Sequence, residues 1–274
     1  MEKTERKNLI LMGTNGFVVP VFDALSKSHN IISVFTRAPK PVGRKHVLTK
    51  SPVHIWADEK NIPVHTSIRE FDNSGADWVF VMSYGVLLSD EILSRGRFIN
   101  IHPSFLPKYR GPSPIRTALL NGDKNIGVCL MQIVHDLDAG GVYMCKNINI
   151  EDNDTNETLE KRVSSLSIEI INEFFENPER FHLTPQMGDP SYTKKFTSDD
   201  EVIDWNKTPE QIHNLIRALG AGRTKINGID VKILETRIVN GMLNITKIQP
   251  AGKKAMDWKS FVNGLHTTNI KYGE

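Results

Sequence analysis

RFINIHPSFLP, at residues 97–107, is a short apolar run in which polar side chains occupy positions 100 and 102, just before its first proline. Side chains alternate faces along a β-strand, so Asn100 and His102 are expected on one face and the two isoleucines on the other. Pro103 has no N–H for a sheet ladder and restricts the preceding residue to extended conformations, so the strand should end there. Both polar side chains would then lie at the carboxyl end of a strand, where open α/β sheets bind ligands.

Short apolar segments alternate with helical ones around this stretch. Apolar patterning predicts strands at residues 7–12, 31–35, 62–65, 78–82 and 98–102. Helices are expected through about Lys27 and from Ser51 to about Lys60. Strands that alternate with helices are typical of a mostly parallel, doubly wound α/β sheet. Two longer strands and a helix with a capping box follow, at 125–134, 142–150 and 154–174.

The pattern changes after this last helix. Prolines and glycines interrupt residues 178–190 without clear periodicity, which predicts a linker. A helix is expected to begin at Thr208, and Asn240-Gly241 predicts a hairpin between two further strands. The expected parts are an α/β domain, a linker and a small β-rich domain, at residues 1–180, 181–199 and 200–274.

Charge and cysteine content limit the class of protein. The formal net charge of +2 is too small to argue for nucleic acid by itself. The two cysteines, Cys129 and Cys145, are too few for a disulfide framework, so buried free thiols in a reducing compartment are expected. Basic residues are nevertheless concentrated between positions 36 and 52, with no acid among them: Arg37, Lys40, Arg44, Lys45 and Lys50.

Neither a membrane nor a secretory pathway is indicated. No apolar run approaches membrane-spanning length, and residues 1–5 lack a secretory pattern. The cytoplasm is therefore the expected location.

Three polar groups suit the transfer of an acyl group between amines. Asn100 could donate an amide N–H to the developing oxyanion, a contact whose removal typically lowers rates by about 10²–10³. His102 could accept a proton near neutral pH, while Asp138 could orient its imidazole and stabilise the imidazolium. An α-amino group of pKa ~7.7–8.0 is already partly neutral at pH 7, so no serine or cysteine nucleophile is required.

Each of these residues, taken alone, also fits a structural role. An Asn or His at a strand end is usually a hydrogen-bonded structural group, and an Asp in a glycine-rich turn usually serves the turn. Two further patterns are weak: residues 13–16 lack the spacing of a dinucleotide loop, and residues 135–138 offer too few ligands for a metal. We expect no metal.

A wider pattern favours the chemical interpretation. NIHPSFLPKYRG at residues 100–111 and DAGG at 138–141 resemble the signature of formyltransferases that use 10-formyltetrahydrofolate as co-substrate. The resemblance implies a Rossmann-like fold and implies that Asn100, His102 and Asp138 are catalytic. It also implies folate contacts in two segments, Ser104, Phe105, Leu106 and Pro107, and Ser83, Tyr84, Gly85, Val86 and Leu87.

Three other segments are similar to methionyl-tRNA formyltransferases, which act in translation initiation. They are residues 40–45, 203–205 and 249–256. The similarity implies that initiator methionyl-tRNA is the acceptor and that the five basic residues between positions 36 and 52 bind it. A monomer is expected. Only two clear strands separate residues 220–223 from the segment at 249–256, so the OB-like barrel of that family is expected here in a reduced form.

Two alternatives remain open. A sugar-nucleotide N-formyltransferase shares the catalytic domain and often carries a reduced C-terminal unit. A non-catalytic tRNA- or folate-binding relative would belong to another class. The basic segment near Arg44 argues against the first alternative, and the intact set of Asn100, His102 and Asp138 argues against the second.

Overall fold

The computed structural model describes residues 5–43, 46–73, 75–265, 267 and 269–273. The chain forms two compact units. Unit 1 comprises Met1–Pro112, Gly127–Ile148 and Glu160–Tyr192, and unit 2 comprises Ser113–Ile126, Asn149–Leu159 and Thr193–Glu274. The division of the chain at residues 180 and 200 stays a prediction.

A mostly parallel sheet forms the centre of unit 1. In chain order, the strands in this half of the sequence are β1 (Asn8–Gly13), β2 (Asn30–Phe35), β3 (Lys40–Val42), β4 (Val47–Thr49), β5 (Val64–His65), β6 (Trp78–Met82), β7 (Phe98–His102), β8 (Asn125–Gln132) and β9 (Val142–Asn149). The described residues give a seven-stranded sheet in the order β5-β2-β1-β6-β7-β8-β9. Pairing is parallel from β5 to β7, and β8 runs antiparallel to β7. The predicted α/β class is confirmed.

Side-chain hydrogen bonds cap some of the helices at their first turn. The helices up to residue 176 are α1 (Val19–Ser28), α2 (Pro52–Glu59), α3 (Asp90–Leu93), α4 (Pro114–Asn121) and α5 (Asn156–Glu176). At α2 the Ser51 hydroxyl accepts the N–H of His54, and Pro52 occupies the first turn. The cap of α5 lies one residue later than predicted, because Thr155 and Thr158 exchange hydroxyl and N–H hydrogen bonds.

Strand β1 shows that the central sheet is covered on both faces. Leu9, Ile10, Leu11 and Met12 are all fully buried, although successive side chains point to opposite faces. Gly13 ends the strand against its neighbours, since a Cβ there would lie 2.9 Å from the carbonyl oxygen of β6 at position 82. Because both faces of the sheet are buried, the carboxyl ends of the strands are the part of the sheet that is expected to bind ligands.

Unit 2 contains a second, antiparallel sheet. Its elements are α6 (Pro209–Leu219), β10 (Gly222–Ile226), β11 (Ile229–Val239), β12 (Met242–Pro250), β13 (Met256–Asp257) and α7 (Trp258–Leu265). The described residues give a four-stranded sheet in the order β10-β11-β12-β13. Ile212 and Ile216 of α6 and Phe261 of α7 share one hydrophobic core with Ile233 and Ile248 of the sheet. The small β-rich unit is confirmed, with two more strands than the two that were clear from the sequence.

The expectation of two free thiols is wrong. Cys129 on β8 and Cys145 on β9 form a disulfide, with Cα atoms 4.1 Å apart. Cys129 is fully buried, whereas Cys145 is exposed on β9. The cysteine count alone does not reveal this bond. It forms because two neighbouring strands of the sheet bring together residues that are 16 positions apart.

Candidate active site

Strand β7 presents the two predicted polar side chains on one face. Ile99 and Ile101 are buried on the opposite face, as the alternation predicts. His102 is buried with 4% exposure, whereas Asn100 is partly exposed. The side-chain amide of Asn100 has no hydrogen-bond partner among the described residues. Its N–H groups are therefore available to a substrate oxygen.

The imidazole of His102 lies between a carbonyl and a carboxylate. Its Nε2 is 2.9 Å from the carbonyl oxygen of Tyr109. Because a carbonyl oxygen only accepts, Nε2 carries a hydrogen in this contact. In the neutral ring Nδ1 is then the basic nitrogen, and it lies 3.5 Å from Oδ2 of Asp138. This geometry differs from the expected division of roles, since Tyr109 rather than Asp138 sets the tautomer.

Asp138 is held in a tight turn beside β8. Its Oδ2 accepts the N–H of Gly111 at 2.7 Å, and its backbone has a φ of 48°. The turn approaches β8 so closely that a Cβ on Gly140 would lie 1.9 Å from the carbonyl oxygen of Gln132. Only glycine fits at position 140, so this glycine of residues 138–141 has a steric reason. The result is a carboxylate aimed at the basic nitrogen of His102.

The first predicted folate segment, Ser104 to Pro107, follows β7 directly. Ser104 is fully buried and its hydroxyl has no hydrogen-bond partner within the described part of the chain, while Phe105 is 40% exposed. The Phe105 backbone lies against Gly127, where a Cβ would come within 2.7 Å of its nitrogen. Leu106 and Pro107 continue the segment towards Tyr109. These residues therefore lie in the chain between His102 and the carbonyl that holds its ring.

The second predicted folate segment, Ser83 to Leu87, follows β6. Ser83 accepts a hydrogen bond from Asn15, and Tyr84 is buried, which raises the pKa of its phenol despite the opposing charge of Arg37. Arg37 donates to the carbonyl oxygen of Gly85. Val86 and Leu87 are exposed, with Leu87 at 78%. The start of this segment is held in place and its end is open to solvent.

The three described members of the predicted tRNA-binding set, Arg37, Lys40 and Lys50, differ in their contacts. Arg37 contacts the segment at residues 83–87, and Lys50 pairs with Asp58. Lys40 is exposed on β3, which pairs with β4 in an antiparallel arrangement. Arg44 and Lys45 lie outside the described residues.

Two participants were not identified from the sequence. The carbonyl of Tyr109 binds the His102 ring, and Gln186 in the predicted linker donates to the carbonyl oxygens of Asp138 and Gly140. A backbone carbonyl leaves no signature in sequence, and a single glutamine in a region without periodicity leaves a weak one. Within the described ranges, no cluster of three or more His, Cys, Asp or Glu side chains could hold a metal ion. None of the described helices is long and apolar enough to cross a bilayer.

Comparison with known proteins assigns the family. The formyl transferase model matches residues 6–174, and the model of the formyl transferase C-terminal domain matches residues 195–242. The chain belongs to the formyltransferase family. It is 34% identical to the methionyl-tRNA formyltransferase of Bartonella bacilliformis over 304 residues, covering 96% of this chain and 98% of that protein.

Solved structures share the formyltransferase fold. The methionyl-tRNA formyltransferase from Clostridium thermocellum has a TM-score of 0.62 at 14% identity, covering 89% of this chain and 98% of that one. The N-formyltransferase from Helicobacter canadensis, in complex with folinic acid and dTDP-3-aminofucose, has a TM-score of 0.67 at 23% identity. That match covers 86% of this chain and 89% of the other. At these identities both structures support the fold alone.

Proposed function

We propose that this formyltransferase transfers the formyl group of 10-formyltetrahydrofolate to the α-amino group of methionyl initiator tRNA. The observation that carries the proposal is its similarity, over nearly its whole length, to proteins named methionyl-tRNA formyltransferase, at 31–34% identity. The reaction places the protein in translation initiation and in the cytoplasm, where charged tRNA is made. It acts as a monomer, without a metal.

The three polar groups of the site divide the chemistry between them. The amine nitrogen attacks the formyl carbon, and the oxyanion that forms accepts a hydrogen bond from the amide of Asn100. Nδ1 of His102 takes the proton that the amine loses, because its other nitrogen already donates to Tyr109. Asp138 stabilises the resulting imidazolium across 3.5 Å.

Collapse of the tetrahedral adduct completes the transfer. The bond between the formyl carbon and N10 of the folate breaks, and N10 receives the proton from His102. Atoms balance without an added oxidant or nucleophile: one C–N bond forms, one breaks and one proton crosses. A proton-transfer group of this kind typically contributes about 10²–10⁴ in rate, and an oxyanion donor about 10²–10³.

Binding of the co-substrate is assigned to the two segments near the strand ends. Residues 104–107 and 83–87 contact the folate, and the unpartnered, buried hydroxyl of Ser104 is suited to one of its polar atoms. Arg37, Lys40, Arg44, Lys45 and Lys50 are assigned to tRNA phosphates. Lys40 is the best placed of the described members, because Arg37 and Lys50 already have protein partners.

One specific observation favours a second candidate, a sugar-nucleotide N-formyltransferase. The described C-terminal sheet has four strands, whereas a closed OB barrel needs about five. A reduced C-terminal unit of this kind suits an enzyme that does not hold tRNA. The third hypothesis is a non-catalytic tRNA- or folate-binding relative, and the pairing of His102 with Asp138 argues against it.

One assay separates these functions. The protein is given 10-formyltetrahydrofolate with either methionyl initiator tRNA or a dTDP-amino sugar, and formyl transfer is measured. Transfer to the tRNA alone is expected, and His102→Ala should remove most of it while leaving tRNA binding intact. Transfer to the sugar alone, or to neither acceptor, would reject the proposal.

A further inference from the structure

Residues 184–192, which we name the brace segment, lie in the region predicted as a linker. One end of it is bonded to the start of β9: Thr184 and Val142 exchange two backbone hydrogen bonds of 2.9 Å each. These bonds fix the exit of the turn that contains Asp138. The brace segment is therefore part of unit 1 and does not act as a free connection.

The other end is bonded to the loop that follows β7. The hydroxyl of Ser191 accepts the N–H of Tyr109 at 2.9 Å, and its carbonyl oxygen accepts the N–H of Arg110 at 2.8 Å. The N–H of Ser191 donates to the carbonyl oxygen of Pro107 at 3.2 Å. Tyr109 supplies the carbonyl that holds His102, so this end supports the histidine side of the site.

Gln186, between these ends, joins both sides through its side chain. Its Nε2 donates to the carbonyl oxygens of Asp138 and Gly140, each at 2.8 Å. Its Oε1 accepts from Nε and Nη2 of Arg110, at 3.1 and 2.6 Å. Its neighbours Pro185 and Met187 are exposed, whereas Gln186 is partly buried. The side-chain amide of Gln186 thus connects the loop that follows β7 with the turn that contains Asp138.

This contact acts on a backbone that needs support. Asp138 has a φ of 48°, in the left-handed region that side-chain-bearing residues rarely adopt. Such conformations persist when surrounding contacts determine them. The two bonds from Gln186 fix the carbonyl oxygens on both sides of Ala139, and so fix where the carboxylate of Asp138 points.

We propose that Gln186 is a positioning residue that holds the Asp138 carboxylate against Nδ1 of His102. The inference rests on the proposed function, in which that carboxylate stabilises the imidazolium. Gln186 itself touches neither the substrate nor the reacting atoms, and it works through two backbone carbonyls. Loss of its donors should lower kcat by about 10- to 100-fold, the range expected when a catalytic group is displaced by about 1 Å.

Three variants of the full chain test the proposal. Gln186→Ala removes every side-chain contact. Gln186→Glu keeps an acceptor for Arg110 but has no N–H to donate to the carbonyl oxygens of Asp138 and Gly140. Met187→Ala is the matched control, because its side chain is 80% exposed in the same segment. Both Gln186 variants should lose kcat with KM changed less than about twofold, and Met187→Ala should match the wild type.

A double-mutant cycle distinguishes positioning from general destabilisation. In an Asp138→Asn background, Gln186→Ala should cause almost no further loss of kcat, because both changes remove the same effect. A multiplicative further loss would overturn the proposal. Wild-type turnover in Gln186→Glu would also overturn it, since the Arg110 contact would then suffice.

A readout independent of activity separates this inference from the proposed function. The N–H of Gly111 donates to Oδ2 of Asp138, so hydrogen exchange at Gly111 reports on where that carboxylate lies. Exchange there should accelerate at least tenfold in both Gln186 variants and stay unchanged in Met187→Ala. Unchanged exchange in the Gln186 variants overturns the inference. An inactive wild type with accelerated exchange in the variants overturns only the proposed function.

Discussion

Asp138→Asn isolates the charge at the candidate active site. Asn is nearly isosteric with Asp, and its amide oxygen can still accept the N–H of Gly111 that Oδ2 accepts at 2.7 Å. The turn therefore keeps its main side-chain contact. What disappears is a negative charge 3.5 Å from Nδ1 of His102.

The separation of the two groups sets the size of the effect. Opposite unit charges at 3.5 Å attract by about 5 kcal/mol at an effective dielectric constant of about 20. The proton is only partly transferred in the transition state, so about half of that attraction, roughly 2.4 kcal/mol, is available to lower the barrier. Since about 1.4 kcal/mol is tenfold in rate, kcat should fall by about 60-fold.

Initial rates of formyl transfer to methionyl initiator tRNA measure this fall. The KM values for tRNA and folate should change little, because the charge acts on the transition state. Asp136→Asn is the matched control: it removes an exposed carboxylate two positions away and should leave kcat unchanged. An Asp138→Asn enzyme that keeps more than a third of wild-type turnover would refute the electrostatic reasoning.

Three further outcomes are expected. Asn100→Ala should lower kcat by about 10²–10³ with the thermal midpoint unchanged, because this proposed oxyanion donor has no hydrogen-bond partner to lose among the described residues. Burial lowers the pKa of His29, and its Nδ1 accepts the N–H of Lys7. The folded state therefore favours the neutral imidazole. Because protonation then favours the unfolded state, the free energy of unfolding should fall as the pH drops below about 6.5. Denaturant titrations should show a weaker pH dependence in His29→Gln. Unfolding without reductant should expose no free thiol from Cys129 or Cys145, and reduction should lower the free energy of unfolding by about 3 kcal/mol.

Each of these expectations has a contradicting result. Wild-type kcat in Asn100→Ala would exclude its amide from oxyanion stabilisation. The free energy of unfolding could instead rise as the pH is lowered from 6.5 to 5.5, and rise less in His29→Gln. That result would reverse the sign assigned to this buried histidine. Two thiols titrated in unfolded, unreduced protein would exclude the disulfide.

Strands and their ends were predictable where the pattern is local. Strands β6 and β7 have the predicted bounds, 78–82 and 98–102. Short apolar runs between chain-breaking residues need no knowledge of distant partners to be recognised. Strand β10 escaped prediction because Arg223, Thr224 and Lys225 are polar at its centre, and its pairing with β11 becomes visible only in the sheet.

Local sequence patterns were enough to predict the α/β order, the placement of Asn100 and His102 on one face of β7, and the resemblance to formyltransferases. These follow from alternation, turn residues and a contiguous motif, all of which act over a few positions. The tertiary structure alone decided which nitrogen of His102 faces Asp138. It also brought Gln186 to the Asp138 turn, 48 residues away, and to Arg110, 76 residues away. Contacts at such separations depend on how loops close on one another, and no local pattern encodes that geometry.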